Sequence, residues 1–369
     1  MSSGTLTYHT GYNYGASLQA YALQTIIKRE CGPNQIINFE TLDFVHSREM
    51  LTKHPKRLKE VVKILTRIPY ASALRKRQQL FDAFTDEQLD TTELCRTREE
   101  AIEVAKRFDC LVCGSDQIWN LGAPGDEYAA NTLFFLDFPK GQRRVSFAAS
   151  FGGWVKHAAE REDEFLPWVR EFDAVSVREI SGYEYLQSKG VDCCVNVDPT
   201  LLLDADDYRA IERKPANVPK KYVLLFGWST NRDVISVTKK AGKFFGVPAI
   251  NIVPPPRAIG SGIKRVLDIG PREFLYLVDH AEFVVTNSFH GTVFSSIFGK
   301  QYASIHGGTP DTRMKSVLDF LGLSDRLVTA DGIDDSYFMG LSESDFDGMS
   351  SKLAELRKAS IDYIRKNVR

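Results

Sequence analysis

AEFVVTNSFHGTVFSSIFGK, Ala281 to Lys300, is the stretch on which the fold assignment rests. Phe283 to Val285 is a short apolar run of the kind that makes a buried parallel strand, and Thr286 to His290 breaks it with polar groups. Gly291 to Phe298 then reads as a helix, with Val293, Phe294, Ile297 and Phe298 at helical spacing and Gly299 as its stop. His290 is thereby expected in the turn between strand and helix. In open α/β sheets that turn, at the carboxyl end of a strand, is where ligands bind. The structural alternative is a histidine that only caps or packs the turn.

The same rhythm runs outward in both directions. Thr5 to Tyr8, Asp109 to Cys113, Arg144 to Ala149, Ala174 to Val177 and Cys193 to Val197 read as strands, with helices between them, one of them from Ala16 to about Arg29. Val223 to Phe226, Ala249 to Val253, Val266 to Ile269 and Ala303 to Ile305 continue the pattern after the polar connection Asp204 to Lys221. Alternating strands and helices predict parallel sheets covered on both faces. Right-handed crossovers return to one edge, so functional groups gather on one rim of each sheet. The expectation is an α/β protein of two Rossmann-like domains facing a cleft. Residues 1–203 form the first, 204–341 the second, and 342–369 a final helix that packs back toward the first.

With 47 basic and 48 acidic side chains, the net charge of −1 argues against nucleic acid as a partner. No apolar run approaches the ~20 residues of a membrane span. The opening MSSGTLTYHTGYNYG lacks a basic start and an apolar signal core, so a cytoplasmic location is expected. Cys110 and Cys113 form a C-x-x-C inside a strand, which points the thiols to opposite faces. All six cysteines are read as small buried hydrophobes, and neither a metal nor a resident cofactor is expected.

Between residues 48 and 77 the chain is basic, with Lys53, Lys56, Arg57, Lys59, Lys63, Arg67, Arg75, Lys76 and Arg77 among its charges. Leu58, Val61, Val62 and Leu65 recur at helical spacing, giving a basic helical insertion over 48–84 within the first domain. It suits peripheral contact with anionic lipid at the inner face of a membrane, or a diphosphate-bearing acceptor. A solvated helical face is the plainer reading.

His290, with an ordinary pKa near ~6.5, is the candidate for proton transfer. Arg178, at a strand end, is a fork for carboxylate or phosphate, or else an ion-pair partner of Glu179 or Asp173. Asn13, Tyr14 and Gly15 lie where a helix N-terminus offers backbone N–H groups to a sugar or anion. Ser115 and Asp116 end a strand and suit sugar hydroxyls; Asp198 before Pro199 is a turn former.

NYGASLQAYALQ (Asn13 to Gln24), CGSDQIWN (Cys113 to Asn120), SFAASFG (Ser146 to Gly152), VDPTLLL (Val197 to Leu203), GPREFL (Gly270 to Leu275) and VTNSFHGTVFSSIFGK (Val285 to Lys300) together resemble the polysaccharide pyruvyl transferase family. The resemblance implies a glycosyltransferase-B-like fold and transfer of the enolpyruvyl unit of phosphoenolpyruvate, as co-substrate, to a sugar or lipid-linked oligosaccharide of a bacterial surface polysaccharide. By motif position His290 is the general acid and Arg178 grips the donor, with Asn287 and Ser288 in the same turn. Many members carry arginine two residues before the histidine, where this chain has Ser288. Lys264, Arg265 and Arg313 are the cations that could compensate. A glycosyltransferase using a nucleotide sugar, or a non-catalytic sugar- or anion-binding homologue, are the alternatives.

Overall fold

The structure is a computed structural model that describes residues 1–40, 58–120, 132–138, 141–152, 160–227, 232–257, 259–306, 312–341 and 346–368. The chain divides into two compact units: Met1–Arg48, Thr85–Leu203 and Ala354–Arg369 form one, Glu49–Phe84 and Asp204–Leu353 the other. Of the basic segment, Arg48, Lys53, Lys56 and Arg57 lie outside the described residues.

In the first unit β1 (Ser3–Leu6), β2 (Asn34–Ile36), β3 (Cys110–Cys113) and β4 (Arg143–Ser146) form a parallel sheet of order β2-β1-β3-β4. Every residue of β1 and β3 is buried, as expected for central parallel strands covered on both faces. Single parallel bridges extend the sheet: Ile36 to Thr91 and Phe39 to Cys95 beside β2, Val145 to Ala174 and Ala149 to Val177 beside β4. The last two bring in β5 (Ser176–Val177), which pairs in parallel with β6 (Cys194–Val195).

The first helix runs Tyr14–Glu30, two residues earlier than the periodicity suggests, because Asn13 caps it. Asn13 Oδ1 accepts from the N–H groups of Gly15 at 3.0 Å and Ala16 at 3.5 Å. The final helix, Asp347–Asn367, joins the first unit from Ala354 onward. There Ser360 Oγ accepts from Val197 N at 3.2 Å, and Tyr363 donates to Ser146 O at 3.0 Å.

The second unit is built on β7 (Val223–Phe226), β8 (Ala249–Asn251), β9 (Lys264–Arg265), β10 (Phe283–Thr286), β11 (Tyr302–Ile305) and β12 (Leu327–Val328), all parallel, in the order β12-β11-β10-β7-β8-β9. Counted from β7, that is the 3-2-1-4-5-6 order of dinucleotide-binding domains. The strand expected at Val266 to Ile269 is instead β9, at Lys264–Arg265. β9 is an edge strand held only by β8, and the chain leaves the sheet to begin the helix Pro271–Asp279.

The basic insertion, expected within the first domain, groups with the second unit. Its helices Leu58–Arg67 and Ala71–Gln88 are tied there by hydrogen bonds from Arg67 to Pro255 O (2.7 Å) and from Arg77 to Ile252 O (3.1 Å). Gly270 passes so close to Leu80 that a Cβ would come within 2.6 Å of Leu80 Cβ. Continuity along the chain does not reveal such contacts. The cysteines also divide: Cys95, Cys110 and Cys113 are buried, whereas Cys31, Cys193 and Cys194 are half-buried.

Candidate functional site

The topological switch of the second unit lies between β7 and β10, whose successors run to opposite sides. Two close approaches shape it. A Cβ on Gly227, the residue after β7, would lie 2.0 Å from Asn287 Oδ1, so glycine there lets the Asn287 side chain lie across the strand end. A Cβ on Gly291 would lie 2.2 Å from Thr286 Oγ1. That same Oγ1 accepts from Ser288 N at 3.0 Å, closing the turn after β10.

The helix that follows is Phe289–Ile297, with Ser288 as N-cap, so it begins two residues before Gly291. His290 therefore stands in the first helical turn rather than in the preceding loop. It is 8% exposed and packs edge-to-face on Phe289 at 5.1 Å. Ser288 is buried and makes no side-chain cap bond.

Behind His290, Thr292 Oγ1 and Ser304 Oγ are 2.8 Å apart, and Ser304 Oγ lies 3.5 Å from Met314 Sδ. The helix Thr312–Leu321, which carries Arg313, is thus packed on the His290 helix. Lys264 and Arg265 lie on β9, with β7 and β8 between them and β10.

Arg178 follows β5 in the first unit, and the ion pair with Glu179 that the sequence offered as its alternative role is present, but buried rather than at the surface. Arg178 is not paired with Asp173, whose carboxylate accepts from Arg144 N. Its guanidinium is 4% exposed and donates to Glu179 (2.9 Å), Asp198 (2.6 Å) and Ser150 Oγ (3.1 Å). Asp198 also takes Thr200 N and Oγ1 at 3.0 and 2.7 Å, and Ser115 Oγ at 3.5 Å. One arginine thus ties together the chain after β3, β4, β5 and β6. Burial, the largest single effect, works against its charge, but the carboxylates of Glu179, Asp198 and Asp116 together outweigh it and hold the guanidinium above its ordinary proton affinity.

The residues expected on the acceptor side also make local bonds. The Gly15 N–H is taken by Asn13, Tyr14 is buried in its helix, and Ser115 donates to Ala148 O at 2.8 Å. Asp116, at φ 67°, accepts from Gln117 N at 2.9 Å. Tyr12 (φ 57°) and Ala148 (φ 47°) share this left-handed conformation in the loops after β1 and β4. Three such residues at neighbouring strand ends mark a strained rim. Among the described residues one group has metal-ligand geometry, Glu212, Asp279 and His280. Both Asp279 oxygens already accept from Arg209, at 2.8 and 3.0 Å, so its donor set is poor for an ion.

The profile of the family Polysaccharide pyruvyl transferase matches residues 13–305, well over half of the chain, and spans both the Asn13 turn and the His290 turn. The chain belongs to the polysaccharide pyruvyl transferase family. No curated protein matches it by sequence. Among solved structures, a UDP-N-acetylglucosamine 2-epimerase is similar at TM-score 0.54 and 12% identity, covering 99% of this chain and 95% of that one. UDP-GlcNAc 2-epimerases from Neisseria meningitidis (TM-score 0.50, 9% identity, 99% and 94% covered) and Methanocaldococcus jannaschii (0.50, 10%, 98% and 93%) are also similar. At these identities the likeness concerns the fold: this pyruvyl transferase family member has the two Rossmann-like domains of the glycosyltransferase-B class.

Sequence reasoning did not single out Gly227 or Thr286 at the switch point of the second unit, nor Ser150 beside Arg178 in the first. A small or polar residue directly after each apolar run was the available signal.

Proposed function

We propose that the chain transfers the enolpyruvyl unit of phosphoenolpyruvate to a sugar of a bacterial surface polysaccharide or its lipid-linked precursor, forming a pyruvate ketal. The carrying observation is the place of His290, in the first helical turn at the switch point of a chain of this family. His290 gives its proton to the methylene carbon of the donor, and a sugar hydroxyl bonds to the carbon bearing the phosphate ester. A second hydroxyl then displaces phosphate from that carbon, and one of the two hydroxyl protons restores the acid. Asn287 and Ser288 in this turn, and Arg313 on the helix packed against the His290 helix, are the donor-side groups, whereas Arg178 ties together the loops of the first unit.

A phosphate-release assay with phosphoenolpyruvate and candidate acceptors tests the reading. His290→Ala is expected to abolish turnover with donor binding retained, and near-normal turnover would refute the general-acid role. The buried serine in place of the arginine, Ser288, favours a nucleotide-sugar glycosyltransferase as the second reading. Thermal stabilisation by nucleotide sugars and none by phosphoenolpyruvate would decide for it.

No helix of the described residues is long and apolar enough to cross a membrane. We infer peripheral contact with anionic lipid at the cytoplasmic face through the basic segment. Val61, Val62, Leu65 and Ile68 are exposed, Leu65 at 61%, beside the exposed cations Arg75 and Lys76. An outward apolar stripe with basic flanks suits a lipid interface. Flotation with anionic but not neutral liposomes is expected, and Leu65→Glu is expected to abolish it.

A further inference from the structure

The stretch 252–257, which follows β8, collects guanidinium groups from three separate parts of the second unit. Arg77 donates to Ile252 O at 3.1 Å, Arg67 to Pro255 O at 2.7 Å, and Arg265 to Arg257 O at 2.7 Å. Arg257 adds its own charge at the exposed end of this stretch. Arg265 lies over the Tyr70 ring at 5.5 Å, and its buried Nη1 has no hydrogen-bond partner among the described residues. Arg67 is held down to about 10 by burial and by the charges of Arg257 and Arg77, the mark of cations brought together against their repulsion.

This gathering has a position as well as a charge. All six strands of the sheet are parallel, so the end of β8 and the His290 turn after β10 share one rim, with β7 between them. Two strand spacings of ~4.8 Å separate those strand ends by roughly 10 Å. That suits a sugar ring whose hydroxyls face His290 while its anomeric substituent reaches the arginines. An arginine fork binds phosphoryl oxygens bidentately, and two linked phosphoryl groups present enough oxygens for several forks at once.

We infer that Arg67, Arg257 and Arg265 form a binding site for a diphosphate group, the one that links the acceptor sugar to its carrier, with the buried Arg77 bracing the stretch through Ile252 O. Naming the acceptor class rests on the transfer reading above; the diphosphate site itself does not. It also moves Arg265 from the donor to the acceptor. The carrier is either a nucleoside or a polyprenol, and both present the same diphosphate.

Titration calorimetry with inorganic pyrophosphate on the full chain tests the site. Pyrophosphate is expected to bind at least ten-fold tighter than orthophosphate. Arg257→Gln and Arg265→Gln are each expected to weaken it ten-fold or more, with the thermal transition kept. Lys315→Gln, which removes one exposed positive charge elsewhere on the same unit, is expected to leave binding unchanged. Equal binding of the two phosphates, or of wild type and both arginine variants, overturns the proposal.

Competition identifies the carrier. Displacement of pyrophosphate by uridine diphosphate alone assigns a nucleotide carrier, and displacement by a polyprenyl diphosphate in detergent assigns a lipid. Displacement by phosphoenolpyruvate at equal strength overturns the acceptor assignment. If phosphate release from phosphoenolpyruvate is absent while pyrophosphate still binds and both arginine variants lose it, the transfer reading falls and the site stands.

Discussion

Replacing Arg178 with methionine separates two roles for one residue. Methionine fills much of the space and removes the charge, so Glu179 and Asp198, 2% and 1% exposed, would face each other across a dry interior without their common cation. Removing one partner of a buried ion pair costs about 3–5 kcal/mol, because the remaining charge keeps its desolvation penalty. At about 2–4 °C per kcal/mol for a domain of this size, the thermal transition is expected to fall by roughly 6–20 °C. The assay is thermal and urea unfolding of wild type, Arg178→Met, Asp198→Asn and the double variant. The two single losses are expected to exceed the double loss when added, because the substitutions remove the same interaction. Phosphoenolpyruvate binding is measured alongside, below the transition of each variant. A transition within about 1 °C of wild type, with donor binding weakened ten-fold, would refute the structural role and return Arg178 to the donor.

Two further outcomes follow from the geometry. Gly227→Ala puts a methyl group 2.0 Å from Asn287 Oδ1, so the amide must move; a loss of about 1–3 kcal/mol is expected from overpacking, with turnover down at least ten-fold, measured by unfolding and phosphate release. Burial pushes the Cys110 thiol up to about 12, against the opposing effect of Arg143, and pushes Cys113 up as well. At pH 8 only about one Cys110 in ten thousand is thiolate, so mass spectrometry after mild alkylation is expected to find Cys110 and Cys113 unlabelled until pH or denaturant opens the sheet.

Much of the fold was legible because its signals are local. The apolar run Phe283 to Val285 followed by polar residues and a helical period places His290 at a strand end without knowledge of any other strand. Asn13 shows the limit of the same signal. The period of the helix was visible, but its start depended on a side chain turning back onto its own backbone: Asn13 takes the Gly15 N–H, and the helix begins at Tyr14.

Arg178 and the arginines around 252–257 could not be placed from sequence. A guanidinium after a strand reads the same whether it faces solvent or three buried partners, and only strand order brings Asp198 and Ser150 to it. The basic insertion likewise follows its contacts rather than its neighbours in the chain, joining the second unit because Arg67 and Arg77 bond to the loop after β8.

The sequence by itself determined the alternation of strands and helices, the family and the strand-to-helix turn with its histidine, since periodicity and motif order lie along the chain. Tertiary structure alone decided which charges are neutralised and which are crowded. That depends on which strand ends are neighbours, and strand order is set by burying both faces of each sheet rather than by any one segment.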